Sequence, residues 1–83
     1  MQTDLEQAQA AARAGVTLFT EKLLQAGQRK IYRRLALEID RAVLSTALRH
    51  VHGNQSLASE LLGISRTTFR ARLRAAGLSG DNK

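Results

Sequence analysis

A short interval around one glycine constrains the fold more than any other feature of this sequence. Asn54 is a candidate N-cap residue, and Gly63 is suited to the left-handed conformation that ends many helices. Ser65 follows closely as a second candidate N-cap, and Gly77 supplies the next stop. The pattern therefore predicts two short helices joined by a tight turn.

Apolar side chains fall at helical spacing on both predicted helices. The first helix places three on one face, and the second places two of them four residues apart: Ala58, Leu61 and Leu62, then Phe69 and Leu73. Ile64, inside the turn, is placed to fill the angle between the helices. The turn Gly63-Ile64-Ser65 has the length found in DNA-binding helix-turn-helix motifs.

The second predicted helix carries a row of arginines at positions i, i+4 and i+8. This row is Arg66, Arg70 and Arg74, joined by Arg72 and by the hydroxyls of Ser65, Thr67 and Thr68. Guanidinium groups pair well with guanine O6 and N7 and with phosphate. The alternative is a surface helix charged only for solubility. A positive face without acidic partners at i, i+4 repels itself, so we favour nucleic-acid binding.

Charge is unevenly distributed along the 83 residues. The net charge is +6: residues 1–28 carry −1, residues 29–51 +4 and residues 52–78 +3. A basic domain attracts polyanions, and a three-turn helix that uses Phe69 and Leu73 for a core suits nucleic acid better than an anionic membrane. No apolar run is long enough to span a membrane and no signal peptide is evident, so we expect a cytoplasmic, nucleoid-associated protein.

The preceding half of the chain has weaker signals. Residues 1–15, rich in Ala and Gln and interrupted by Gly15, are predicted to be a linker, or a segment that is poorly ordered or helical only in context. Thr17 is a plausible N-cap for a helix to about residue 26, and a second helix is predicted over about residues 30–51. The predicted organisation is a segment 1–15, dimerisation helices 16–51, a helix-turn-helix 52–78 and a tail 79–83.

Surplus apolar surface in these two helices predicts a homodimer. A helix of some 20 residues is about 30 Å long, more than is needed to cover one small helix pair. Its first half can therefore pack against a second copy. The alternative, a monomeric hairpin, would leave several leucines exposed. The predicted interface residues are Phe19, Leu23, Leu24, Leu35, Ile39 and Val43.

The stretch from residue 53 to residue 78 resembles the helix-turn-helix of the Fis family. The resemblance rests on GNQS at residues 53–56, Ala58, LLGISR at 61–66, TFR at 68–70, Leu73 and GL at 77–78. It is strongest for the C-terminal DNA-binding domain of NtrC-type activators of sigma-54-dependent transcription, and it covers residues 31–78 well and residues 16–30 loosely. It implies an all-α, Fis-like four-helix subunit that dimerises through its first two helices and binds double-stranded DNA.

The resemblance also implies roles for individual residues. Ser65, Arg66 and Arg70 occupy positions that face the major groove, with Arg66 the strongest candidate to contact a guanine. By the family pattern, phosphate contacts are expected from Asn54, Ser56, Thr68 and Arg74, and the neighbouring polar residues Gln55, Thr67 and Arg72 are further candidates for such contacts. The chain has Leu57, Ala71 and Ala75 where relatives are more polar or basic. Those departures favour a site-specific regulator over a promiscuous DNA-bending protein.

No residues suggest catalysis, a cofactor or a metal site. His50 and His52 lie on different sides of a helix and have no third ligand, and the chain has no cysteine. Three hypotheses stay open. The first is the DNA-binding domain of an activator that reaches sigma-54 RNA polymerase through an ATPase domain missing from this chain. The second is a free-standing Fis-like DNA-bending protein, and the third is a helical protein-interaction module. The upstream reading frame separates the first two, and sequence-selective binding in competitor DNA would remove the third.

Overall fold

The computed structural model describes residues 3–78, which form four helices and contain no strand. In chain order these are α1 (Asp4–Gln25), α2 (Ile31–His50), α3 (Gln55–Leu62) and α4 (Arg66–Ala75). The prediction of an all-α chain is confirmed. The predicted tail at residues 79–83 lies outside the described residues. The chain divides into two compact units, Met1–Leu35 and Ala36–Lys83, and the boundary falls within α2.

The N-terminal helix begins much earlier than the sequence predicted. Thr3 caps α1: its Oγ1 accepts a hydrogen bond from the backbone N–H of Glu6 at 3.1 Å, and Glu6 Oε1 accepts one from the Thr3 N–H at 2.9 Å. This reciprocal capping box, followed by alanine-rich sequence of high helix propensity, extends the helix through Gly15. The predicted start at Thr17 is therefore wrong, and residues 4–15 take the helical alternative. A linker role for residues 1–15 stays a prediction.

The second unit contains the hydrophobic core. Leu44 and Val51 come from α2 and the turn after it, Ala58 from α3, and Phe69 and Leu73 from α4. Phe69 and Ala58 are 0% exposed, and Leu44 and Leu73 are 2% exposed. The inward positions predicted for Phe69 and Leu73 are thus confirmed. Other apolar side chains pack against this cluster while partly buried, namely Ala47, Leu48, Leu62, Ile64 and Leu78.

The inner face of α3 differs from the predicted one by one position. Leu61 was expected inside with Ala58 and Leu62, but it is 60% exposed. Ser59 is buried instead, and its hydroxyl donates a hydrogen bond to the Ser56 carbonyl at 2.8 Å. The cause is helical spacing: positions 58, 59 and 62 share one side of an eight-residue helix, and position 61 lies a quarter-turn away.

Candidate nucleic-acid interface

The turn between α3 and α4 has the geometry that the sequence predicted. Asn54 Oδ1 accepts a hydrogen bond from the Leu57 N–H at 3.0 Å at the start of α3. Gly63 ends α3 with φ of +76°, and the Ile64 N–H bonds back to the Ser59 carbonyl at 3.1 Å. No atom would obstruct a Cβ at Gly63, so its positive φ is the reason for glycine there. This cap fixes the angle at which α4 leaves α3.

The first turn of α4 is held by two hydroxyls. Ser65 Oγ accepts a hydrogen bond from the Thr68 N–H at 3.1 Å and donates one to Thr68 Oγ1 at 3.0 Å. Ser65 is therefore the N-cap that the sequence predicted. Its predicted contact with a base uses the same oxygen, so any such contact adds to the capping role or competes with it. Thr67, the next predicted phosphate ligand, is exposed beside this turn.

The predicted arginine row lies on the exposed side of α4. Arg66, Arg70 and Arg74 are all exposed, while Phe69 and Leu73 turn to the core. Arg70 Nε also lies 3.4 Å from Gln55 Oε1, at the long end of hydrogen-bond range. The amide of Gln55 thus links the start of α3 to the middle of α4. The resulting surface presents guanidinium groups beside two helix N-termini, an arrangement that attracts anions.

The phosphate ligands predicted on α3 cluster at its N-terminus. Asn54 and Ser56 are exposed and Gln55 is partly buried. The capping bond occupies the Asn54 side-chain oxygen and leaves its amide NH2 group as a donor. These three polar residues and the first turn of α4 belong to the same compact unit.

Two residues of α2 that sequence reasoning missed contact α4 and its C-terminal cap. Asp40 Oδ2 lies 3.3 Å from Arg72 Nη1, and Arg41 Nε donates a hydrogen bond to the Ala76 carbonyl at 3.0 Å. The first contact pairs Arg72 with an acid 32 positions away. The second satisfies a carbonyl at the C-terminal cap of α4. One signal was available, because Asp40 is four residues before the buried Leu44 and so shares its face of α2.

The predicted dimer residues differ widely in exposure. Leu23 is buried and Phe19 and Leu35 are partly buried, whereas Leu24, Ile39 and Val43 are exposed. The last two keep 45% and 42% of their accessible surface. Leu24, Ile39 and Val43 are therefore the members of the set that are most open to a partner, and an interface through them stays a prediction.

His50 and His52 are exposed, and within residues 3–78 no three His, Asp or Glu side chains are grouped to hold a metal ion. None of the helices in that range has the length and apolar character needed to cross a membrane.

Comparison with known proteins agrees with this geometry. Residues 37–75 match the sequence model of a family described as bacterial regulatory protein, Fis family. A protein of Pseudomonas aeruginosa named as a Fis-like DNA-binding protein is 43% identical over 44 residues. The match covers 53% of this chain and 42% of that relative, so the chain corresponds to less than half the length of the relative. No solved structure matches the chain.

Proposed function

We propose that this chain, whose residues 37–75 match the model of the Fis family of bacterial regulatory proteins, is the dimeric, sequence-specific DNA-binding domain of a sigma-54-dependent, NtrC-like activator. The observation that carries the proposal is the exposed row Arg66, Arg70 and Arg74 on a helix whose adjacent side is anchored by the fully buried Phe69. A rigid support is needed because base recognition depends on the position of each donor. The proposal includes no catalytic activity.

In this mechanism α4 enters the major groove with its N-terminal turn leading. Arg66 donates two hydrogen bonds to guanine O6 and N7, and Arg70 lies one turn further along the groove. The polar groups at the starts of α3 and α4 bind phosphates on either side, with Arg74 contacting the backbone at the far end of the row. Phosphate contacts fix the register of the domain, and base contacts supply the sequence preference.

The dimer is the second part of the proposal. One recognition helix contacts only half of a site, and a two-fold dimer binds an inverted repeat whose half-sites lie on one face of the duplex. Ile39 and Val43 are exposed apolar residues spaced four apart on α2, so they form part of a stripe that a second copy can cover. Duplex DNA as the ligand would make the nucleoid the site of action.

The main alternative is a free-standing Fis-like DNA-bending protein. The similarity to a Pseudomonas aeruginosa protein named as a Fis-like DNA-binding protein supports it. The exposed Leu57, Ala71 and Ala75 favour the activator instead, because they leave α3 and α4 with fewer cations for sequence-independent phosphate contacts. An upstream reading frame that encodes an ATPase domain would decide for the activator, which acts on sigma-54 RNA polymerase through that domain.

The experiment that tests the proposal compares Arg66→Ala with Arg74→Ala. A duplex selected by the wild-type protein from a random pool serves as the specific probe, and a random-sequence duplex serves as the non-specific one. We expect Arg66→Ala to cost about 1–3 kcal/mol on the selected duplex and little on the random one. Arg74→Ala should weaken binding to both and reduce the salt dependence by about one phosphate contact.

Fluorescence anisotropy at several salt concentrations measures both effects. Both substitutions replace an exposed arginine of the same helix, so Arg74→Ala is a matched control for Arg66→Ala. Equal losses on the two duplexes for both variants would contradict the assigned division of roles. A wild-type protein that selects no sequence from the pool would contradict site-specific binding itself. Retained binding to the random duplex would then favour the DNA-bending protein, and loss of all DNA binding would favour the helical interaction module.

A further inference from the structure

One carboxylate on α2 faces the recognition helix. Asp40 Oδ2 and Arg72 Nη1 are 3.3 Å apart, and the Asp40 side chain is 24% exposed while that of Arg72 is 53% exposed. Within residues 3–78, Arg72 is the only arginine of α4 that forms an ion pair with a carboxylate. The contact lies inside the second compact unit, so it belongs to the same folded body as the arginine row.

The position of Arg72 on α4 separates it from the other arginines. At 100° per residue, Arg72 lies about 160° around the helix from the centre of the row formed by Arg66, Arg70 and Arg74. The buried stripe of Phe69 and Leu73 runs between them. When the row faces the major groove, Arg72 therefore points away from the bases and towards α2.

Other contacts besides this ion pair join α4 to α2. The end of α4 is already joined to α2 by the hydrogen bond from Arg41 Nε to the Ala76 carbonyl and by the core around Leu44 and Leu73. A pair whose cation is half exposed adds little stability of its own. Its larger effect is on charge, because it neutralises one of the four cations that α4 can offer to phosphates.

We propose that Asp40 is a specificity-determining residue that holds Arg72 away from phosphate and so weakens binding to non-specific DNA. This inference rests on the proposed function. Non-specific complexes depend almost entirely on phosphate contacts, and a long arginine side chain can reach a phosphate of loosely bound DNA from many orientations. The sequence-specific complex contacts bases through the row of Arg66, Arg70 and Arg74, which lies on another side of α4. Its affinity therefore depends less on Arg72. Specificity is the difference between the binding free energies for specific and for non-specific DNA. Asp40 increases that difference by weakening the binding to non-specific DNA.

The test uses Asp40→Asn with Glu38→Gln as the matched control. Both changes remove one negative charge from α2, but Glu38 pairs with Arg41 on its own helix at 3.7 Å rather than with α4. Binding is measured by anisotropy on a labelled random-sequence duplex of about 30 base pairs and on a duplex selected by the wild type, between 50 and 200 mM salt. We expect Asp40→Asn to tighten random-duplex binding about threefold and to steepen its salt slope by about 0.9. Selected-duplex binding and all values for Glu38→Gln should change less than twofold.

A double variant identifies the arginine involved. In an Arg72→Ala background, Asp40→Asn should have no effect on either duplex. The inference is overturned if Asp40→Asn matches the wild type, if Glu38→Gln has the same effect, or if the effect persists without Arg72. A wild-type protein that binds neither duplex refutes the proposed function instead, so the two failures are distinguishable.

A second experiment compares two arginine variants of α4, so it tests the inference even if Asp40→Asn does not fold. Arg72→Gln leaves Asp40 in place, and Arg74→Gln removes an arginine of the row. The sequence suggested a phosphate contact for Arg72, but its pairing with Asp40 leads us to expect that Arg72→Gln changes random-duplex affinity less than twofold. Arg74→Gln should weaken that affinity about threefold or more. Equal losses for the two variants would overturn the inference. Circular dichroism confirms that each variant is folded.

Discussion

The two compact units of this chain differ in how much apolar surface they bury. Residues 36–78 enclose Phe69 and Ala58 completely, and three helices contribute to that core. In residues 3–35 only Leu23 falls below a tenth of its accessible surface, while Leu5 and Tyr32 are 78% and 83% exposed. Burial of apolar surface is the dominant stabilising contribution, so the helix-turn-helix unit has its own source of stability and the N-terminal unit has little.

This difference shows which features each unit depends on. The 22 residues of α1 are helical because of a capping box and alanine-rich sequence, which are local effects. The helices α3 and α4 have only eight and ten residues and are too short to be stable alone. They depend on packing against each other and against the second half of α2. A local change should therefore affect the first unit most, and a core change the second.

The largest expected effect is in the core of the second unit. Phe69→Ala should destabilise that unit by about 3–5 kcal/mol, because it removes a fully buried ring and leaves a cavity. Urea unfolding followed by circular dichroism measures the loss. Leu5→Ala is the control in the first unit and should change the midpoint very little. Similar losses for the two variants would mean that the two units do not differ in burial as described.

The second prediction concerns dimer formation, which would bury apolar surface of α2 that is exposed in the single chain. If a second copy covers the exposed stripe on α2, Ile39→Glu should weaken the dimer by about 2 kcal/mol or more and yield monomers with poor operator binding. Sedimentation at tens of micromolar decides this. Leu57→Glu, which changes a residue of similar exposure outside the predicted interface, should leave the dimer intact. A wild-type monomer at that concentration would contradict the dimer.

Sequence reasoning succeeded where structure is set by neighbouring residues. The caps Asn54 and Ser65 and the stop at Gly63 each act within a few positions, and all three were predictable. The start of α1 was missed because Gly15 was given more weight than the Thr3 and Glu6 capping box, although one glycine in a long alanine-rich helix costs only about 1 kcal/mol.

The candidate site was predictable only in part. The exposed row of Arg66, Arg70 and Arg74 follows from helical periodicity once Phe69 and Leu73 are placed inside. The ion pair between Asp40 and Arg72 does not follow, because residues far apart in sequence meet only through the packing of α2 on α4. Asp40 is 32 positions from Arg72 in the sequence, so the spacing of charges along α4 could not indicate it as the partner.

A third prediction compares the N-caps of the two units. Asn54→Ala removes the acceptor for the Leu57 N–H and should lower the unfolding free energy of the second unit by about 1 kcal/mol. Thr3→Ala removes the corresponding acceptor from α1, but that helix end is exposed and can fray without disturbing a core. We expect a loss of helical signal with no shift of the main unfolding transition. Hydrogen exchange by NMR would locate the fraying in the first turn of α1.

The smallest expected effects come from two residues with left-handed backbone. Lys30, in the first unit, has φ of +55°, and His52, in the second, has φ of +54°. Glycine adopts this conformation without the steric cost of a Cβ but loses more entropy on folding, so His52→Gly should stabilise the second unit by less than about 1 kcal/mol. Lys30→Gly relieves the same strain just before α2. If the units unfold separately, only His52→Gly should raise the melting temperature of the main transition. Equal shifts for both variants would show that the two units unfold together, and that the stability of the core then extends to the N-terminal helix.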